Sequence, residues 1–133
     1  MAHNVIAEAR KCLNCKKPMC VTGCPVSTPI PHFISVFLNG RIEDAGKMLF
    51  ENNPLSLVCS IVCNHANQCQ GHCVKGIKGD PVEISTIERF ISERYLDSLS
   101  PQPMPSNGIK VAVVEPVLQA SQLPSNSRAL AMM

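Results

Sequence analysis

The sequence predicts a small all-α domain built around loops that carry cysteine. Between residues 30 and 97 the apolar residues recur at steps of three and four, which is typical of helix faces, and no convincing β-type run occurs before residue 108. The chain holds eight cysteines but no Trp, one Tyr and four Phe, so the apolar core should be small. Domains of this kind are usually stabilised further by metals or disulfides.

Four or five helices are expected, and each has a local reason. Residues 4–11 have a helix-favouring composition. The next helix should begin at Ile30, with Pro31 suited to its first turn, and end at Asn39-Gly40. Residues 42–51 bury one apolar stripe and stop before Asn-Asn-Pro, so these two helices should form a hairpin between the cysteine groups. Residues 55–62 are short and apolar, and residues 81–97 show the longest amphipathic pattern.

The remaining stretches are predicted to be irregular. Residues 16–31 contain four prolines, which favours tight loops. We expect a domain over residues 1–97, a Pro-rich linker over 98–107, and over 108–133 a truncated first strand followed by a disordered tail.

The composition argues against several classes of function. The formal net charge of +2 is too small for a general nucleic-acid footprint, and no run of about 18 apolar residues predicts a membrane span. The N-terminus lacks a secretory signal, so we expect a cytoplasmic protein in which thiols stay reduced. No triad-like motif is visible, and we therefore predict no catalytic residue.

The cysteines form two quartets, Cys12-x2-Cys15-x4-Cys20-x3-Cys24 and Cys59-x3-Cys63-x5-Cys69-x3-Cys73. Structural zinc sites usually pair two Cys-x2-Cys knuckles, and only the first two cysteines make one. Disulfides are disfavoured in a reducing compartment. Pro25 follows Cys24 directly, and a cysteine run that ends in Cys-Pro is typical of iron–sulfur ferredoxins. We therefore predict iron–sulfur clusters, with zinc and disulfides as the alternatives.

Ferredoxins with two clusters suggest how the ligands divide. In such proteins the first three cysteines of a run hold one cluster and the fourth reaches the other. Cys12, Cys15 and Cys20 would then share a cluster, and Cys24 would join the second. One member of the second quartet should cross back to complete the first cluster.

Several motifs resemble those of a known family, the N-terminal cluster domain of the glutamate synthase small subunit, which also occurs in dihydropyrimidine dehydrogenase and in ferredoxin:NADP oxidoreductase subunits. The motifs are the first quartet through Val26, Ile-Pro (30–31), Asn-Pro-Leu (53–55), the second quartet with Cys-Gln-Gly-His-Cys-Val (69–74), and Pro-Val-Glu-Ile-x-x-Ile-Glu-Arg-Phe (81–90). The resemblance covers about residues 5–97. It implies an α-helical ferredoxin-like fold wrapped around two [4Fe–4S] clusters.

The resemblance also implies a ligand set. One cluster would be held by Cys12, Cys15, Cys20 and Cys73, and the other by Cys24, Cys63, Cys69 and Glu88. Cys59 matches a family cysteine that is not a ligand, and the alternative is that Cys59 replaces Glu88. We expect His65 and His72 to be hydrogen-bonded loop residues, and the lysines near the quartets to be solvated.

The chain departs from the family after residue 114. Relatives continue into a module for FAD and NADPH that opens with a Gly-rich turn, whereas Glu115-Pro116 follows the strand here, so both cofactors are expected only in the missing downstream domain. Either the domain was excised or the reading frame was lost. The predicted function is electron transfer between a flavin/NAD(P)H reductase module and a large oxidoreductase subunit, with no catalysis by the chain alone. The alternative is a structural zinc-binding or interaction module without a redox role.

Overall fold

The computed structural model describes residues 4–100, and the part up to Ser98 forms one compact unit. Six α-helices lie in this part, and no strand occurs in it, which confirms the all-α prediction. The helices are α1 (Val5–Ala9), α2 (Met19–Thr22), α3 (Ile30–Leu38), α4 (Ile42–Asn52), α5 (Ser56–Val62) and α6 (Ile84–Ser98). Two short 3₁₀ turns, His65–Asn67 and Val74–Ile77, lie between α5 and α6.

The longest helix, α6, lies at the centre of the fold. It packs against α1, α3, α4 and α5, and α3 and α4 also pack against each other as the predicted hairpin. The core is mainly aliphatic, and its members are Ala9, Ile30, Phe33, Ile34, Phe37, Ala45, Leu49, Cys69, Val82, Ile84, Ile87 and Ile91. Each buried Ile, Leu or Phe contributes about 1.5–3 kcal/mol. Because Cys69 belongs to this core, and other cysteines pack against it, the apolar core extends directly to the cysteine groups.

The start of α6 differs from the prediction. The pattern predicted a helix from residue 81, but α6 begins at Ile84. The backbone amide of Glu83 donates to Oε1 of Glu8 at 3.0 Å, and Val82 is buried beside it. This contact with α1 holds the three residues after Asp80 outside the helix. Glu8 also forms a 2.6 Å ion pair with Lys11, so a buried acid that the sequence did not single out links α1 to α6.

The first quartet is not wholly a loop, because Cys20 lies on α2. This helix has one turn and follows Pro18, whose extended backbone stands at the N-cap position. The proline density of residues 16–31 had predicted loops alone, and that expectation was wrong here. The predicted strand and tail, and the linker beyond Ser100, lie outside the described residues, so the predicted domain boundaries stay predictions.

Candidate metal centres

Four of the cysteines line one cavity. These are Cys12, Cys15, Cys20 and Cys73. The first two come from the loop after α1, the third from α2, and Cys73 from the residue that precedes the second 3₁₀ turn. The fold thus brings a member of the second quartet to three members of the first. We call this group the first site.

The thiols of the first site influence one another. Burial raises the pKa of Cys12, and the nearby Cys15 and Cys73 thiols raise it further. Burial, then the proximity of Cys73 and Cys12, raises the pKa of Cys20 to about 11. A raised pKa means that these thiols have lost hydration and face other groups that become anions. A bound cation would reverse that preference and hold them as thiolates.

Backbone amides are aimed at the same sulfurs. The amide of Asn14 donates to Cys12, and those of Val21 and of Cys20 itself donate to Cys20. Asn14 reaches its position with a φ of 48°, in the left-handed region, which lets the chain turn between Cys12 and Cys15. Amide hydrogen bonds to sulfur are one of the means by which proteins tune iron–sulfur clusters.

A second group gathers beneath α6 and comprises Cys24, Cys63, Cys69 and Glu88. Burial raises the pKa of Cys69 to about 12, with Glu88 the next cause and Cys24 contributing less. Burial likewise raises the pKa of Cys63, and Cys59, Glu88 and Cys24 add to it. Both thiols therefore lie close to Glu88 and Cys24. We call this group the second site.

Glu88 is the most unusual member of the second site. Its side chain is 7% exposed, and within residues 4–100 no hydrogen bond or ion pair joins it to another group. Burial raises its pKa to about 7. A buried carboxylate without a donor is costly, since it loses hydration and gains nothing in return. Its charge in turn raises the pKa of the Cys63 and Cys69 thiols, so Glu88 lies near both of them.

Cys59 lies one turn before Cys63 and occupies a different environment. It shares a hydrogen bond with the Cys63 thiol, and Nδ2 of Asn53 donates to its Sγ at 3.2 Å. Among the described residues, the electrostatic neighbours that raise the pKa of Cys69 are Glu88, Cys24 and Cys20, and Cys59 is not one of them. Cys59 is therefore beside the second site but satisfied by Asn53.

The two sites adjoin each other. Cys20 of the first site contributes to the raised pKa of Cys69 in the second. The chain itself also alternates between the two sites. Cys20 lies on α2 and Cys24 follows the C-cap residue Gly23, and Cys69 and Cys73 flank Gly71. A Cβ at Gly71 would collide with the backbone carbonyl of Ala66, so the loop between Cys69 and Cys73 requires glycine.

The two histidines of the second quartet form hydrogen bonds, as expected. Nε2 of His65 donates to the carbonyl of Ser60 at 3.2 Å, and its Nδ1 lies 3.8 Å from Sγ of Cys69. Nδ1 of His72 donates to the carbonyl of Gln68 at 2.6 Å. His65 thus supports a cysteine of the second site, which the sequence did not predict.

The donor chemistry fits iron–sulfur clusters. All eight cysteines are free thiols, two sites of four donors are present, and amides are directed at the sulfurs. Across residues 4–100, no three His, Cys, Asp or Glu side chains converge as the ligands of a single metal ion would. In an iron–sulfur cluster the ligands bind different iron ions, so the four donors of a site need not converge on one point. No helix in that range is both long enough and apolar enough to cross a membrane.

Comparison with known proteins agrees with this chemistry. Residues 1–99 match the family described as dihydropyrimidine dehydrogenase domain II, 4Fe-4S cluster. The chain is 34% identical over 91 residues to the glutamate synthase [NADPH] small chain of Escherichia coli K12, covering 68% of this chain and 19% of that protein.

Two further relatives show the same pattern. The glutamate synthase [NADPH] small chain of Azospirillum brasilense is 29% identical over 111 residues, covering 80% of this chain and 23% of the relative. The NAD-dependent dihydropyrimidine dehydrogenase subunit PreT of E. coli K12 is 32% identical over 88 residues, covering 66% of this chain and 21% of the relative. The chain therefore spans about a fifth of the length of these relatives. It belongs to the dihydropyrimidine dehydrogenase domain II family of 4Fe-4S cluster domains.

Proposed function

We propose that this chain is an electron-transfer domain that carries two [4Fe–4S] clusters. The first site would hold one cluster through Cys12, Cys15, Cys20 and Cys73. The second site would hold the other through Cys24, Cys63, Cys69 and Glu88. The observation that carries the proposal is that seven cysteines, drawn from both quartets, and Glu88 fall into two neighbouring groups of four.

Glu88, rather than Cys59, is our choice for the eighth ligand. Glu88 is buried, has no hydrogen bond or ion pair within residues 4–100, and contributes to the raised pKa of both Cys63 and Cys69. A metal would supply the positive charge that this carboxylate lacks. Cys59 already accepts a hydrogen bond from Asn53, and it raises the pKa of Cys63 but not that of Cys69.

The clusters, when bound, supply one-electron redox chemistry, and the protein supplies position, hydration and hydrogen bonds. The amides of Asn14, Val21 and Gln70 donate to sulfurs and stabilise their anionic form. Cys69 belongs to the buried core, which shields this thiol from water, whereas Cys24 and Cys63 are partly exposed. Because the two sites adjoin at Cys20 and Cys69, the arrangement provides a short route between them.

Relay through this domain requires partners at each end. The relatives are an NADPH-dependent glutamate synthase chain and an NAD-dependent dihydropyrimidine dehydrogenase subunit. We therefore propose that electrons pass between a flavin/NAD(P)H module, which binds FAD and NADPH outside this chain, and a large oxidoreductase subunit. A cytoplasmic location, where thiols stay reduced, belongs to the same proposal.

Anaerobic redox titration tests this function. The chain is produced and kept without oxygen, and its visible absorption and electron paramagnetic resonance spectra are followed while it is reduced and reoxidised. We expect reversible bleaching and two one-electron processes within the range of about −700 to +450 mV that iron–sulfur clusters span. Colourless protein containing zinc but no sulfide would contradict electron transfer and support a structural metal module.

A further inference from the structure

An open groove with a volume of about 490 Å³ lies next to the first site. Three lysines and several apolar residues form it. Its lining residues are Lys11, Leu13, Val74, Lys75, Ile77, Lys78, Gly79 and Asp80. We call it the lysine groove.

The lysine groove shares part of its wall with the first site. Leu13, Val74 and Lys75 line both the groove and the cavity of the four cysteines. Lys11 directly precedes Cys12, and Lys75 lies two residues after Cys73. A molecule in the groove would therefore be separated from the first site by little more than the side chains of Leu13 and Val74.

Positive charge is concentrated around this groove. Arg10, Lys16 and Lys17 are exposed nearby in sequence, and residues 9–42 and 52–79 contain no Asp or Glu. Within the part of the chain that the structure describes, Lys75 and Lys78 form no ion pair. Lys11 is paired with Glu8, and Asp80 is the one acid in the lining. Six of the nine acids within residues 4–100 lie on α4 and α6. The other three, Glu8, Asp80 and Glu83, act on Lys11, so the unpaired positive charge of the groove comes from Lys75 and Lys78.

Exposed aliphatic side chains lie between these lysines. Leu13 is 62% exposed and Ile77 is 79% exposed. A small phosphate ligand is usually held by converging donors in a closed pocket, whereas here the lysines surround an open apolar surface. Apolar contact surrounded by charge is typical of protein interfaces, and complementary charge accelerates association.

We propose that the lysine groove is the docking site for an acidic electron-carrier protein that exchanges electrons with this domain at the first site. This inference rests on the proposed function. Carboxylates of the carrier would contact Lys75 and Lys78, and an apolar residue would cover Leu13 and Ile77. One electron leaves one protein for each that enters the other, and no bond is formed or broken. Such encounters bury little surface and depend on salt.

The test measures binding rather than turnover. A flavodoxin, which is an acidic FMN protein, is titrated into the full 133-residue chain after anaerobic cluster assembly, and binding is followed by calorimetry at about 20 and about 200 mM salt. The test variant combines Lys75→Glu with Lys78→Glu. The control combines Arg41→Glu with Lys47→Glu, which changes the net charge equally on exposed residues of the α4 region.

We expect the test variant to weaken binding at low salt by at least about tenfold and the control by less than about threefold. Lys75→Gln with Lys78→Gln should give an intermediate loss without introducing repulsion. Equal losses in the test and control variants would overturn the proposal, as would the absence of binding by the unmodified chain. Displacement of flavodoxin by equimolar inorganic pyrophosphate would also overturn it, because the groove would then be a phosphate site.

Iron and acid-labile sulfide are measured on the same samples. If the unmodified chain holds both but binds no flavodoxin, docking fails and the proposed function stands. If sulfide is absent, the proposed function fails whatever the binding result.

Discussion

The two sites differ in their ligands and in their surroundings. The first site has four thiols, lines a cavity at the surface and lies beside lysines. The second has three thiols and a carboxylate, lies under α6 and includes the buried Cys69 and Glu88. Both draw on each cysteine quartet, so the difference does not come from spacing alone. If the clusters bind as proposed, the first site is suited to exchange with a partner, and the second to a reduction potential set by burial and by a carboxylate ligand.

The largest expected effect comes from removing one thiol from each site. Cys73→Ala should abolish the first cluster and Cys69→Ala the second, so each variant keeps about four of about eight irons per chain. The two variants should differ in their paramagnetic resonance spectra, because different clusters remain. Iron and sulfide analysis measures how much cluster each variant keeps, and the resonance spectra show which cluster it is. Identical residual spectra would show that the ligands do not divide between two sites as proposed.

Substitution of Gly71 tests whether both sites depend on the same loop. Its loop supplies Cys69 to one site and Cys73 to the other, and a Cβ there would strike the carbonyl of Ala66. We expect Gly71→Ala to lower the free energy of unfolding by about 2–3 kcal/mol and to reduce iron at both sites. Chemical denaturation and iron analysis measure these effects.

Gly79→Ala is the matched control, because nothing lies within 4 Å of its added Cβ. It should change stability by less than about 1 kcal/mol. Equal effects of the two substitutions would contradict the role given to the Cys69–Cys73 loop.

The pH dependence of the unfolding free energy of metal-free protein distinguishes the second site, which contains Glu88, from the first, which contains only thiols. Burial raises the pKa of Glu88 from its ordinary 4.5 to about 7, so between these values the folded chain keeps a proton that the unfolded chain has released. The free energy of unfolding should therefore fall as pH rises from about 4.5 to about 7, by at most about 3 kcal/mol. Burial raises the pKa values of Cys12 and Cys20 above 9, so neither contributes in this window.

Glu88→Gln should remove most of that pH dependence, as measured by denaturant unfolding at several pH values. Glu93→Gln, on an exposed part of the same helix, should keep it. If stability were flat across this range in the unmodified chain, Glu88 would not be the buried acid that the second site requires.

The sequence predicted the positions of the helices well, but it predicted the surroundings of the two sites less well. The periodicity of residues 30–51 and 84–96 identified α3, α4 and α6, because their apolar residues repeat over at least two turns. The single turn of α2 gave no periodic signal. The start of α6 depends on Glu8, 75 residues away from Glu83, and local patterns carry no record of such a contact.

The same reasoning applies to the candidate ligands. Spacing alone indicated that one cysteine of the second quartet should cross to the first, but not which one. Glu88 has no distinguishing local signal, since its role depends on its being buried against thiols that α5 and the following loop contribute. The resemblance to a family, rather than the residue pattern, drew attention to it.

Counting iron and sulfide in three anaerobically prepared proteins tests the central claim most directly. We predict about eight irons and eight sulfides in the unmodified chain and in Cys59→Ala, and about four of each in Glu88→Ala. Loss of iron from Cys59→Ala with none from Glu88→Ala would show that the second site uses four thiols. Zinc without sulfide in the unmodified chain would contradict the account altogether.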